Sequence, residues 1–357
     1  MTRIAVVGVG LIGGSIGLAA RSRLNAHVAG YDPDPAARGA ALARGAVVAA
    51  HDQLGSCLEG VQAAFVAAPV GVLPAVLDEV LDLAGPDCVV SDVGSTKRSV
   101  VGAHADQRYV GGHPLAGAET AGVAHARADL FDGATWYLTP HAATSGVLYE
   151  RLHRLVAAFG AQPAAIDADS HDHLMASVSH LPHVLANVLV DQAANALTGA
   201  GERMPATGPS FRDATRVAGA NGSIWTDIYL SNRDALIDRI DETVGRLSDV
   251  RAALAAGDAG AVARWNDGAR ANRQALLEAG LAGGAVHELK ASVPNRPGVV
   301  ADIALALGRA GINIVDMALS PSSDNSRGVV ALWVRGDADA HRAQDLIASL
   351  DIAVSRT

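Results

Sequence analysis

The sequence predicts an α/β protein in three parts, and three observations carry that prediction. A β-branched apolar run at Arg3–Val7 opens a series of strand-like and helix-like segments that alternate to about residue 168. From about Ser170 to Gly280 helical spacing replaces it and no convincing strand is found. Beyond residue 284 the pattern becomes strand, helix, strand, strand, helix, strand. The expected organisation is a doubly wound parallel sheet over 1–168, an all-α block over 169–281 and a ferredoxin-like βαββαβ unit over 285–357.

Composition narrows the class. At 357 residues there is room for two or three domains, and half of the residues are hydrophobic. No apolar run approaches a membrane span, and the start, MTRIAVVGVG, enters a strand without a secretory pattern. Two cysteines, Cys57 and Cys88, are too few for a disulfide framework and suit a reducing cytoplasm. A net charge of −9 argues against nucleic acid and anionic membrane as partners.

The first strand runs into Gly8-Val9-Gly10-Leu11-Ile12-Gly13 and then a helical segment to about Arg21. A lone GxGxxG says little. Here a strand precedes it, a helix follows, and Asp32 stands at the end of the next strand, His27–Tyr31. Gly8 permits the tight turn, Gly10 lets the backbone approach a pyrophosphate, and Gly13 lets helix pack on strand. The helix N-terminus, at Leu11 and Ile12, then faces the phosphates. This is the Rossmann arrangement. Asp32 would bond the adenine ribose hydroxyl and repel a 2′-phosphate, which favours NAD over NADP. An overlapping G-x-S-x-G pattern centred on Ser15 falls eight residues past the strand, inside the helix, so Ser15 is read as a packing residue rather than a nucleophile.

The alternation continues with strands at Ala63–Ala67, Cys88–Ser91, Trp136–Thr139 and Gln162–Ile166 and helices at Val72–Leu83, from about Thr96, and over Ser145–Phe159. Ser95 is a candidate N-cap whose hydroxyl would also lie at the C-terminal edge of the sheet. Gly111–Gly122, GGHPLAGAETAG, follows a short β run at Arg108–Val110 and is expected to be a loop. In an open parallel sheet ligands bind beyond the carboxyl ends of the strands. A histidine there, His113, is a candidate general base, with an ordinary pKa of roughly 6.5.

In the helical block Ile224, Ile228, Leu236, Ile240, Val244 and Leu247 recur at helical spacing and predict one long helix, suited also to a dimer interface. His171, His173, His180 and His183 invite a metal reading. His180-x-x-His183 lacks the Glu and the spacing of a zinc helix, no cysteine is near, and Pro182 should kink the chain and aim the two differently, so no metal is expected. Arg212 and Arg216 lie in an apolar stretch, where a planar guanidinium makes a good carboxylate clamp.

Taken together, GVGLIGGSIGLA, DVGSTK at 92–97, HPLAGAE at 113–119, SHLPH at 179–183 and FRDATR followed by Trp225 resemble, in order, the signatures of the prephenate and arogenate dehydrogenases of tyrosine biosynthesis, over essentially the whole chain. The resemblance implies His113 as catalytic histidine and Ser95 as its assistant at the substrate hydroxyl. It places Arg216 at the ring carboxylate, with His183 and Trp225 near the side chain, and Glu119 at a position that contacts or gates substrate. His180, Asp172 and Arg212 belong to the motifs without a definite role. Ala220-Asn221-Gly222 departs from the more charged turn of the family. The implied reaction is NAD-dependent oxidative decarboxylation of prephenate to 4-hydroxyphenylpyruvate; arogenate to tyrosine is the alternative. A β-hydroxyacid dehydrogenase, an imine reductase or a non-catalytic sensor of NAD and amino acids would not need His113, Ser95 and Arg216 together.

Ala282-Gly283-Gly284 reads as a linker. In the last unit, expected strands are His287–Val293, Ile312–Leu319, Gly328–Arg335 and Ile352–Ser355, with helices at Val299–Ala310 and Ala338–Leu350. Ser292-Val293-Pro294-Asn295-Arg296-Pro297-Gly298, with Gly311-Ile312-Asn313-Ile314, resembles an ACT domain, which implies an amino-acid effector, tyrosine, at Asn295, Pro297, Gly298, Asn313 and Ile314.

Overall fold

The computed structural model describes residues 1–117, 120–198, 207–279, 285–322 and 327–356. The linker at 282–284 and Glu119 fall outside them. The first part contains β1 (Arg3–Val7), α1 (Leu11–Leu24), β2 (His27–Tyr31), α2 (Pro35–Arg44), β3 (Ala49–His51), α3 (Leu54–Leu58), β4 (Ala63–Val66), α4 (Leu73–Leu83), β5 (Val89–Asp92), α5 (Arg98–Ala103), β6 (Tyr109–Pro114), β7 (Thr135–Thr139), α6 (Gly146–Ala158) and β8 (Gln162–Ala165). The sheet order is β3-β2-β1-β4-β5-β6-β7-β8, parallel throughout except for the β6–β7 pair. The chain leaves β1 in opposite directions for β2 and β4, which opens a crevice at their carboxyl ends. Strands β1, β4 and β5 are buried on both faces; β1 after Arg3 and all of β4 are accordingly apolar, while β5 ends in the buried Ser91 and Asp92.

Three expectations need correction here. The three-residue edge strand β3 was not foreseen; Ala49–His51 is too short to show a period. His113 is not on a loop: β6 runs on through Pro114, with His113 opposite Tyr137 of β7. Glycine at 112 suggested a turn, but its role is close approach. A Cβ there would lie 2.5 Å from the Asp92 carbonyl oxygen. Ser95 is not a helix cap: α5 starts at Arg98 after Lys97.

The middle part is all helical: α7 (Ala168–Met175), a π turn (Ala176–His180), α8 (Leu181–Thr198), α9 (Pro209–Thr215), a 3₁₀ turn (Arg216–Gly219), α10 (Gly222–Ser231), α11 (Arg233–Ala255) and α12 (Ala259–Ala279). The single long helix expected over Ile224–Leu247 is broken at Asn232, which leaves helical geometry and sends its side chain inward. At Pro182 the α-helical pattern is interrupted: the π turn Ala176–His180 runs directly into α8 and accommodates a proline that lacks an amide donor.

The last part is β9 (Val286–Pro294), α13 (Val299–Arg309), β10 (Ile314–Pro321), β11 (Arg327–Arg335), α14 (Asp337–Ala348) and β12 (Ala353–Arg356), an antiparallel sheet ordered β10-β11-β9-β12. It packs on α6 and β8 of the first part. Gly298 N donates to Thr144 O at 3.1 Å, and Arg309 pairs with Asp167 at 3.0 Å. No helix among the described residues is long and apolar enough to cross a membrane.

Candidate active site

The glycine loop has the expected form. Gly8 has φ +91°, and a Cβ there would lie 2.3 Å from Ala67 O; one on Gly13 would lie 1.9 Å from Gly8 O. Around Gly10 the situation is reversed, with nothing within 4 Å of a Cβ, so the backbone at the start of α1 faces open space. Leu11 and Ile12 begin a helix that no side chain caps. That open cradle fits a pyrophosphate. Asp32 closes the corner: its carboxylate accepts from Val9 N at 3.0 Å and Asp34 N at 3.0 Å, while Arg38 donates to its carbonyl at 2.6 Å. Ser15 is buried in α1, bonded to Leu11 O at 2.8 Å and accepting from Arg127 N at 3.0 Å, as a packing residue should be.

Across the crevice, a cavity of about 690 Å³ brings together Ser95, His113, His180, Arg216 and Trp225, which are drawn from five separate stretches of chain. His183 does not line it. It lies behind Trp225, stacked on the indole with centroids 3.6 Å apart and planes 7° from parallel, and its Nδ1 is hydrogen-bonded to the Tyr229 hydroxyl. Arg212 stays at the surface, bonded to Thr207 O at 2.6 Å. Among the described residues, no group of three His, Cys, Asp or Glu side chains is arranged to hold a metal ion.

His113 is 9% exposed. Its Nδ1 lies 2.9 Å from His171 Nε2, and His171 Nδ1 lies 2.8 Å from Asp172 Oδ1. The Asp172 carboxylate also accepts from Lys97 N at 2.8 Å and Arg98 N at 2.9 Å, which ties α7 to the loop that carries Ser95. Beneath them Lys97 and Asp92 form a fully buried ion pair, and Asp92 accepts from the Tyr109 hydroxyl at 2.7 Å and Gly112 N at 3.2 Å. Burial holds the His113 imidazole well below the usual histidine range, and nearby His171, Lys97 and His180 add to the effect. Burial brings His180 down to about 4. Both rings are therefore neutral near pH 7. His171 and Asn232 are parts of this site that motif reading does not assign; only the adjacency of His171 and Asp172 at a helix start hinted at a buried pair.

Within one chain the five residues expected at a regulatory ligand do not share a cavity. Asn295 and Pro297, beside Gly298, line a cavity of about 490 Å³ between the ACT-like unit and the first part, with Gln107, Glu150, Arg296 and Arg327. Asn313 lines a different cavity, with Tyr137 and Gln162, and Ile314 is buried in the core. The two groups lie at opposite ends of α13, which holds them apart.

Residues 16–164 match the model of the prephenate dehydrogenase nucleotide-binding domain, 167–266 its dimerization domain and 287–346 the ACT domain. Prephenate dehydrogenase of Bacillus subtilis (strain 168) is 32% identical, covering 96% of this chain and 95% of that one. The chain belongs to the prephenate dehydrogenase family. It is thus an oxidoreductase with a nucleotide-binding domain, a helical dimerization domain and an ACT domain. Prephenate dehydrogenase from A. aeolicus, solved in complex with hydroxyphenyl propionate and NAD+, shares the fold with a TM-score of 0.71 at 24% identity over 77% of this chain and 98% of that one. Synechocystis arogenate dehydrogenase aligns with a TM-score of 0.67 at 25% identity over 77% of this chain and all of that one.

Proposed function

We propose that this family member oxidises prephenate with NAD and that His113 is the base. NAD, when bound, accepts the hydride from the carbinol carbon of the substrate. The chain does the rest. The Gly8–Gly13 loop and the first turn of α1 hold the pyrophosphate, and Asp32 selects a ribose without a 2′-phosphate. His113 Nε2 takes the hydroxyl proton as that C–O bond becomes a carbonyl, with Ser95 beside it on the same wall. Arg216 binds the ring carboxylate and fixes the ring, and Trp225, braced by His183, closes the side-chain end with His180. Loss of CO₂ and aromatisation then make the step irreversible.

The 32% identical Bacillus subtilis relative, a prephenate dehydrogenase, supports prephenate over arogenate. Glu119, the carboxylate that could pair with the ammonium of arogenate, lies outside the described residues. His113→Asn is expected to lower kcat by about 10²-fold or more with little change in KM; a normal kcat would overturn the assignment. A kcat/KM on arogenate exceeding that on prephenate would overturn the substrate.

The helical block exposes Leu247, Leu254 and Trp265 along α11 and α12, as a homodimer interface would. Two buried free cysteines fit a reducing, cytoplasmic setting. The cavity around Asn295 and Pro297 is lined by Glu150, Arg296 and Arg327 as well as by apolar side chains, a mixture that fits tyrosine as an effector. Titration of tyrosine against the activity of the full chain tests this; absence of inhibition removes the effector.

A further inference from the structure

Accepting His113 as the base, we propose that His171, Asp172 and Asn232 are positioning residues that set the two cleft histidines in opposite tautomers: His113 with a bare Nε2 toward the substrate, and His180 with a protonated one. The cleft would then offer one proton acceptor and one proton donor on facing walls.

The assignment follows from counting donors and acceptors. The ionised Asp172 carboxylate can only accept, and it already receives Lys97 N and Arg98 N. His171 Nδ1, 2.8 Å from Oδ1, must therefore carry the proton. A neutral His171 then has Nε2 as an acceptor, and the His113 Nδ1 at 2.9 Å must be the donor. A neutral His113 is left with an unprotonated Nε2, the only ring nitrogen free to meet a hydroxyl. The second half of the count runs through Asn232. Its amide donates to Asp172 O at 2.7 Å and approaches His180 Nδ1 at 3.2 Å, while Arg98 donates to its Oδ1 at 3.4 Å, which orients the amide. His180 Nδ1 is thus the acceptor, and the proton of a neutral His180 lies on Nε2.

Other groups support the neutral state of His171. Burial pushes its pKa down against the pull of Asp172, and Lys97 from the α5 side lowers it further; Asp92 pulls weakly the other way, and the Tyr137 ring of β7 stands edge-on at 5.6 Å. The chain of bonds also crosses between parts of the protein. His113 belongs to the nucleotide-binding domain, whereas His171, Asp172, His180 and Asn232 belong to the helical block. The base is set only when α7 is seated against it, and the facing donor only when the α10–α11 break is seated against His180.

Long-range ¹H–¹⁵N spectra of the full-length protein, labelled at histidine, read the tautomers directly. At pH 7.5 (roughly one unit above the ordinary histidine pKa) the expected result is unprotonated Nε2 on His113 and unprotonated Nδ1 on His180. Either ring in the opposite tautomer overturns its half of the proposal. In kinetics, His171→Gln keeps an acceptor for His113 Nδ1 and should hold kcat within about tenfold. His171→Leu removes it and should lower kcat by about 10²-fold or more at similar KM. Asp172→Asn, which lets His171 reverse, should lose activity and show protonated Nε2 on His113. Equal kcat for the Gln and Leu variants would overturn the positioning role. If His113→Asn is itself fully active, the base assignment fails instead, so the two failures are distinguishable.

Discussion

The cofactor corner and the proton corner face one another across the same crevice, yet they are built differently. The first is nearly contiguous. Gly8, Gly10, Gly13 and Asp32 fall within one βαβ unit and act through backbone geometry. The second is assembled from Ser95, His113, His171, His180, Arg216, Trp225 and Asn232; of these His113, His171, His180 and Asn232 are buried and held by hydrogen bonds, while Ser95 and Trp225 are half-buried and Arg216 is exposed. A backbone cradle tolerates change in its surroundings. A buried polar network does not, because every member left unpaired costs free energy.

Three experiments sharpen this contrast. Lys97→Met should have the largest effect. It leaves Asp92 with no cation in a fully buried site and should cost about 3–5 kcal/mol of stability, measured by urea unfolding. It also removes a positive charge that holds the His113 pKa down, so the acid limb of kcat/KM should move to higher pH. A neutral result on both counts would mean that the proton corner is as tolerant as the cofactor corner.

Acid is the next probe. Burial lowers His180 in the proton corner and His153 at the ACT joint from 6.5 to about 4. Between these values the unfolded chain binds more protons than the folded one, so stability is full above about pH 6.5 and is lost as the pH falls toward 4. The loss is on the order of 3 kcal/mol for each ring. Thermal unfolding followed from above pH 6.5 down to about 4 checks it, and His153→Gln should flatten the curve.

The smallest effect belongs to the cofactor corner. Asp32→Asn keeps an acceptor for Val9 N but removes the charge that opposes a 2′-phosphate. The preference for NAD over NADP, taken as a ratio of kcat/KM, should fall by about tenfold with little loss of stability.

The same contrast explains what could be read from the chain. The glycine loop, its helix and Asp32 were legible because their signal is local: spacing, a buried strand before, a helix after. His113, Arg216 and Trp225 were legible as residue types in motifs. That they share one cavity was not, since they come from three separated stretches. His113 was expected on a loop because Gly-Gly-His-Pro has turn composition, whereas close packing against Asp92 is what requires the glycine. Asn295 and Asn313 were named from motifs of a domain that pairs, and within one chain they line different cavities at the two ends of α13.

By itself the sequence determined most of the alternating strands and helices, though not β3 or the break at Asn232, together with the succession of fold types and the nucleotide cradle, because each depends on interactions between residues a few positions apart. Only the tertiary structure decided that His171, 58 residues from His113, is its hydrogen-bond partner, and that Asn232 interrupts a helix to reach His180. Those pairings depend on how α7 and the α10–α11 break pack against β6, and packing of distant elements leaves no periodic mark on the chain.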